Sequence, residues 1–332
     1  MTEAMVPYPW QTRHWQNLTD LVTAGRLPHA LLLSGPEGIG KTRLARAFAG
    51  RLLCDQPNAG FACGQCQACR WNQEGQHPDF VDISFAEGKK QISVDQIRNL
   101  QGLVVQRAHR EDGYKIVVLR PAEAMNISAA NALLKTLEEP TPQTLLILIS
   151  HAASQLLPTI RSRCMQMAVA VPDTAQSEQW LRTCVDDPAL IGRALAEGGG
   201  RPLAARQLIE SGGVERFAQL DEALTSLLEG NNGLLRVAET LAEEEPEQSL
   251  QWWVRRLQSL IGTLAGVATA LPAPWRDMTR LDSKLVFQRL DDAQRSLNQV
   301  SRGAALNKRL LWEGILLDWR NLCHNTRRSQ QR

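Results

Sequence analysis

Gly35-Pro36-Glu37-Gly38-Ile39-Gly40-Lys41-Thr42 fits the pattern G-x-x-x-x-G-K-[ST] without a mismatch. Gly35, Gly38 and Gly40 let the backbone curl so that its N–H groups point at phosphate oxygens. The start of the following helix adds partial positive charge. Lys41 is placed to reach the β- and γ-phosphates and Thr42 to hold Mg²⁺, so the expected ligand is ATP or ADP with Mg²⁺. Binding is not hydrolysis, which also needs an acidic residue at the end of a neighbouring strand. The natural place is the end of KIVVL, where the chain reads Arg120-Pro121-Ala122-Glu123. The expected acids are absent. Glu123 lies about one helical turn beyond the strand end and is expected to face solvent. The nucleotide site is therefore expected to bind weakly or structurally, with ATPase activity of its own absent or weak.

A second cluster suits a metal. Cys54, Cys63, Cys66 and Cys69 follow C-x8-C-x2-C-x2-C, and Pro57, Asn58, Gly60 and Gly64 supply the sharp turns between them. Four thiolates this close suit tetrahedral Zn²⁺ and leave no open ligand position, so the site reads as structural. A redox Cys-x-x-Cys role fits less well. His77, in His77-Pro78-Asp79, reads as a turn residue beside this cluster. The cysteine count is seven, with Cys164, Cys184 and Cys323 scattered; an odd number without an export signal argues against a disulfide framework.

The elements that position these residues alternate. Ala30–Ser34, Phe80–Phe85, Lys115–Leu119, Leu145–Ser150 and Met165–Val171 are short apolar runs. Between them, Lys41–Leu53, Val94–Gln106 and Ser128–Glu139 have helical patterns, the last stopped by Pro140. This alternation predicts an α/β fold, a parallel sheet with helices on both faces. From Thr174 to Ile209 the pattern changes to short helices around Gly198-Gly199-Gly200, and from Glu215 to Cys323 everything long is helical, with a loop at Leu271–Trp275. The polar tail Arg327–Arg332 is expected to fray.

Composition narrows the function classes. A length of 332 residues suggests two or three domains, and 43% hydrophobic residues suffice for ordinary cores. A net charge of +2 excludes a strongly basic nucleic-acid binder, so any DNA contact would need a local patch. The start lacks the basic-then-apolar pattern of a secretory signal, and no apolar stretch is long enough to span a bilayer. Both point to a cytoplasmic location and no membrane partner.

Further motifs carry a resemblance. Ser128–Pro140, SAANALLKTLEEP, resembles the signature of bacterial clamp-loader subunits of the AAA+ class, and Thr159–Cys164, TIRSRC, looks like that family's Ser-Arg-Cys motif. The cysteine knuckle just after the phosphate-loop helix and a segment like Gln76–Phe80 are shared by the same subunits. The similarity is dense over roughly residues 20–210, and the helical remainder is consistent with the family's collar. The resemblance implies a P-loop AAA+ parallel-sheet domain over 1–170 with a zinc module inserted at 54–69. A small helical lid over 171–210 and an all-α collar over 211–332 follow. In the family the arginine of Ser-Arg-Cys reaches the γ-phosphate held by a neighbouring subunit, so the matching Arg163 is implied as an arginine finger acting in trans. The role of Arg161 stays open, a local helper being one reading. Arg201 lies near a nucleotide-sensing arginine of the lid, but Pro202 follows directly, and a lid surface role stays open.

Two branches of the family carry these motifs. In the ATP-hydrolysing gamma/tau motor the strand before ANALLKTLEEP ends in Asp-Glu; counting back from Asn131, those positions here are Arg120 and Pro121. That loss, the short chain and the Tyr8-Pro9-Trp10 start resemble the delta-prime branch, a stator within the replicative DNA polymerase III holoenzyme. The implied partners are gamma/tau and delta subunits in a hetero-pentameric ring, the sliding clamp, and primed DNA through the complex. An autonomous motor-type ATPase and a stand-alone zinc-containing DNA-binding module are the alternatives, the second weakened by the near-neutral charge. Trp252, Trp253, Trp312 and Trp319 fit core packing or subunit contact, Glu243–Glu245 a solvated helix end, and Arg255–Arg256 solvent exposure.

Overall fold

The computed structural model describes residues 6–86, 88–104, 108–110, 113–229, 233–267, 271–272, 275–278, 281–301, 303–304 and 306–329. The chain divides into two compact units, Met1–Pro188 with Gly200–Ala204, and Ala189–Gly199 with Ala205–Arg332.

The first unit is built on α1 (Thr12–Thr23), β1 (Ala30–Ser34), α2 (Lys41–Leu53), α3 (Gln67–Gln73), β2 (Phe80–Ile83), α4 (Val94–Val104), β3 (Lys115–Leu119), α5 (Ile127–Glu138), β4 (Thr144–Ser150), α6 (Pro158–Arg163), β5 (Met165–Ala168) and α7 (Thr174–Leu181). Its five strands form one parallel sheet in the order β2-β3-β4-β1-β5. Strand side chains alternate between two cores. Leu31, Leu33, Ile116, Val118, Ile147 and Ile149 pack with Trp15 and Leu18 of α1 and Leu44 and Phe48 of α2. Leu32, Val117, Leu119, Leu146 and Leu148 pack on the other face with Ile97 and Leu100 of α4, Leu133 and Leu137 of α5 and Ile160 of α6. Burial on both faces is why these strands read as continuous apolar runs.

Element ends follow local chemistry. Asn126 caps α5 by accepting from the Ala129 N–H, and Pro140 follows its end. The run beginning at Met165 ends as a strand at Ala168, because its partner β1 stops at Ser34 where the glycine loop begins. The run from Phe80 likewise ends at Ile83, opposite Leu119. The expected helix from Val94 is helical to Val104; Val105 and Gln106 lie outside the described residues. Ala273 and Pro274 of the Leu271–Trp275 loop, and the end of the expected frayed tail at 330–332, also lie outside them.

The remaining helices are α8 (Pro188–Glu197), α9 (Pro202–Glu210), α10 (Gly213–Leu228), α11 (Leu234–Glu243), α12 (Pro246–Leu264), α13 (Ser283–Ser301) and α14 (Lys308–Ser329). In the second unit Trp252, Trp253, Trp275, Trp312 and Trp319 are fully buried in one core with Leu220, Leu224, Leu257 and Leu316. Trp253 meets Trp319 edge-on with ring centroids 5.2 Å apart and Trp312 at 6.1 Å, geometries that aromatic quadrupoles favour.

Arg256 corrects an expectation. It is buried, not solvent-exposed, because α12 turns it inward onto two acids. Its Nη2 donates to Asp221 Oδ2 at 2.5 Å and to Glu197 Oε1 at 2.6 Å, and Trp275 Nε1 donates to Asp221 Oδ1 at 3.0 Å. Burial works against the guanidinium's charge, but these carboxylates outweigh it and raise its pKa above the ordinary value. Arg255 lies with its guanidinium 5.2 Å from the Phe217 ring. Among the described residues no helix is long and apolar enough to cross a membrane.

Candidate functional site

The glycine loop leads from β1 to α2, and its carbonyls all have partners. Lys41 Nζ donates to Gly35 O at 2.5 Å and Pro36 O at 2.6 Å. Arg201 Nη1 reaches Glu37 O at 3.2 Å, and the Leu203 N–H reaches Gly38 O at 3.1 Å. Trp10 Nε1 and Gln11 Nε2 share Ile39 O at 3.0 and 3.1 Å, and Gly40 O accepts the helical bond from the Leu44 N–H. With the carbonyls tied back, the loop's N–H groups are its remaining backbone polarity, the arrangement that makes a nest for an anion. Gly35 has φ +145 and a Cβ there would stand 2.2 Å from Val169 O; Gly40 has φ +87 and a Cβ would stand 2.4 Å from the Tyr8 ring. Both positions therefore demand glycine.

Lys41 is buried beneath the loop. Burial pushes its pKa down to about 8, partly offset by the charges of Glu123 and Glu37, while Arg201 adds to the lowering. Burial also lowers Arg201, with Glu37 opposing it. Thr42 follows as the second residue of α2, where the pattern requires it. Tyr8 and Trp10 stack with centroids 4.6 Å apart, and Trp180 stands perpendicular to Trp10 with centroids 5.5 Å apart, beside Ile39 and Gly40. Sequence reasoning missed this aromatic group as part of the site. The proline-flanked Tyr8-Pro9-Trp10 was its one visible signal.

At the end of β3, where acids would stand, Arg120 Nε donates to Asp82 Oδ1 of β2 at 2.9 Å, and Arg46 of α2 pairs with the same carboxylate. Glu123 corrects the expectation of solvent exposure. The short 3-10 turn Ala122–Ala124 carries it back across the sheet's end, where its Oε1 accepts from the His151 N–H at 2.8 Å. Its Oε2 is buried without a hydrogen-bond partner among the described residues, as is His151 Nδ1. His151 is held below its ordinary pKa by burial first and by the Lys41 charge second. A half-buried carboxylate thus acts electrostatically on the loop lysine, yet it belongs to neither position of the missing pair.

The four cysteines converge as their spacing predicts. All four sulfurs lie within 4.8 Å of one another, with Cys54–Cys66 at 3.8 Å and Cys63–Cys69 at 3.9 Å. Tetrahedral Zn–S bonds of about 2.3 Å put sulfurs about 3.8 Å apart, so this donor set fits such an ion, and the group could hold a metal. Backbone N–H groups of Gln65 and Cys66 lower the Cys63 thiol to about 6, whereas burial raises Cys54 and Cys69. Buried thiols of this kind ionise when a cation compensates them. Cys66 Sγ also caps α3 by accepting from the Cys69 N–H. His77 is outside the group; its Nδ1 accepts from the Asp79 N–H at 3.1 Å, the turn role expected.

Arg163 is the last residue of α6 and half-exposed. Its Nη1 donates to Thr159 O at 3.0 Å and its Nη2 pairs with Glu138 Oε1 at 2.7 Å. Arg161 Nε is buried without a hydrogen-bond partner among the described residues. Cys164 is a core residue whose thiol burial pushes up to about 11.

A parallel sheet whose interior strand β1 runs through a Gly-x-x-x-x-Gly-Lys-Thr loop into a helix places the first unit in the P-loop class of α/β proteins. A family model described as DNA polymerase III, delta subunit, matches residues 10–173. The chain is 40% identical to DNA polymerase III subunit delta' of Pseudomonas aeruginosa, covering 95% of this chain and 98% of that one. It is 32% identical to the delta' subunit of Yersinia pestis, covering 94% and 95%. Similarity to DNA polymerase III subunit tau of Escherichia coli is 30% over 77% of this chain but 42% of tau. The chain belongs to the DNA polymerase III delta' subunit family.

Proposed function

We propose that this chain is the delta'-type stator of a clamp loader in the replicative DNA polymerase III holoenzyme. In this reading it joins gamma/tau and delta subunits in a hetero-pentameric AAA+ ring that opens a sliding clamp and loads it on primed DNA. The observation that carries the reading is a pairing of presence and absence. Arg163 stands partly exposed at a helix end, while β3, separated from β1 by β4, ends in an Arg120–Asp82 ion pair instead of metal-holding acids. Chemistry is then given to a neighbour. A planar, permanently charged guanidinium stabilises the charge developing on the transferred phosphoryl of the adjoining subunit's ATP.

The loop Gly35, Gly38, Gly40, Lys41 and Thr42 would hold ATP or ADP with Mg²⁺ weakly, as a structural ligand. Cys54, Cys63, Cys66 and Cys69 would hold structural Zn²⁺, fixing the knuckle at 54–69 on the sheet domain (1–170). The lid (171–210), which contributes segments to both compact units, would bring Arg201 to the loop. Residues 211–332 would form the collar through which the ring assembles. Arg163→Ala tests the reading: the ring still assembles, but its DNA-stimulated ATPase falls at least ~10-fold, since a finger in trans is worth ~10³ or more elsewhere. Unchanged ATPase and clamp loading refute it.

Glu123 favours a second reading, an autonomous ATPase, because its carboxylate acts on Lys41. Steady-state turnover by the purified subunit, lost in Lys41→Ala, would establish it.

A further inference from the structure

Glu138 has no rationale within its own helix. It is the last residue of α5, where the partial negative charge of the helix end disfavours a carboxylate. Pro140 follows two residues on and fixes the place at which that carboxylate is presented. Its partner is Arg163, the last residue of the adjoining α6, at 2.7 Å. The other terminal nitrogen of the same guanidinium is held by Thr159 O at 3.0 Å. Both ends of the donor fork that would grip a phosphate are thus engaged inside the chain.

We propose that Glu138 is a positioning residue that parks Arg163, neutralising and orienting its guanidinium until a neighbouring subunit's triphosphate competes for it. The proposal rests on the reading of Arg163 as a finger in trans. The contact is strong enough to select one orientation of a long side chain and weak enough to yield. Glu138 is about half-exposed, so water screens the pair, whereas a triphosphate in a closed interface carries several charges and can accept the fork bidentately. Phosphate therefore displaces carboxylate when the interface closes. Before closure, the parked finger contributes little to turnover.

The test uses the reconstituted ring. Glu138→Gln keeps the side chain's shape and removes its charge. The DNA-independent ATPase should rise roughly two- to fivefold, the span expected for a half-exposed ion pair, while the DNA-stimulated kcat changes less. In a ring carrying both Glu138→Gln and Arg163→Ala the rise disappears. Glu138→Asp, which keeps the charge but shortens the reach, should give a smaller rise. A Glu138→Gln ring that assembles with the parent's basal rate, or a rise that persists without Arg163, overturns the proposal. Arg163→Ala alone separates the two layers. If it leaves ATPase unchanged, the finger reading falls and the parking with it. If it lowers ATPase while Glu138→Gln does nothing, the parking alone falls.

Discussion

If the glycine loop holds nucleotide as proposed, its buried lysine makes that binding depend on pH in a way that can be worked out. Burial sets the Lys41 pKa at about 8. Phosphate oxygens at the loop require the ammonium form, so affinity scales with the charged fraction. That fraction falls from about nine-tenths near pH 7 to about one-tenth near pH 9, and the apparent Kd weakens about tenfold. The nucleotide's own ionisation works the other way, since phosphate gains its second charge near a pKa of about 6. His151, pushed below its ordinary pKa, is already neutral throughout this interval. Calorimetry in two buffers of different ionisation enthalpy should show uptake of about half a proton per nucleotide near pH 8. A flat Kd between about pH 7 and pH 9 with no proton uptake would refute the reasoning. Linkage supplies the sign for stability. A lysine whose folded pKa is lowered destabilises the fold below that value, and the penalty fades as pH rises from about 8 to about 10.5. Lys41→Met should therefore raise the urea midpoint of the nucleotide-free protein at neutral pH, and raise it less in strong alkali.

Other outcomes follow from the same geometry. The purified protein should carry about one zinc ion per four-cysteine site; atomic emission should show it, and Cys69→Ser should lose it. Metal content unchanged by that substitution would contradict a thiolate site. Asp221→Asn leaves Arg256 buried with less compensation and should cost about 3–5 kcal/mol in urea unfolding; a loss below about 1 kcal/mol would mean the second unit tolerates the charge. Gly40→Ala, at φ +87 and against Tyr8, should destabilise the loop and abolish nucleotide binding. Gly25→Ala, at φ +63 with open space around it, isolates the backbone cost alone.

Legibility in the sequence tracked the range of the interactions. The loop, α2, the strands and the cysteine knuckle depend on neighbours within a few residues or on continuous apolar runs, and they stand close to where the residues put them. Asn126 and Pro140 mark the ends of α5 in plain view. Glu123 was misread because a 3-10 turn is too short to leave a periodic pattern, so nothing local shows which way it folds. Arg256 was misread because its acids lie 35 and 59 residues away, and charge alone does not say which surface an arginine faces. The Arg163–Glu138 contact was hidden for the same reason: two motifs, each legible by itself, meet only through the packing of α5 on α6.

The aromatic group against the glycine loop has an optical consequence. Five of the nine tryptophans lie sealed in the second unit's core, and their emission should form a steady blue-shifted background. Trp10 is different: its indole N–H is bonded to Ile39 O of the loop itself, its ring lies flat on Tyr8, and Trp180 stands perpendicular beside that stack. Any rearrangement of the loop around phosphate changes that hydrogen bond and the indole's dielectric surroundings. The difference in emission between the parent protein and Trp10→Phe therefore isolates the loop's own spectrum. If the loop holds nucleotide as proposed, the protein carries an unlabelled fluorescence reporter of that site, readable in solution.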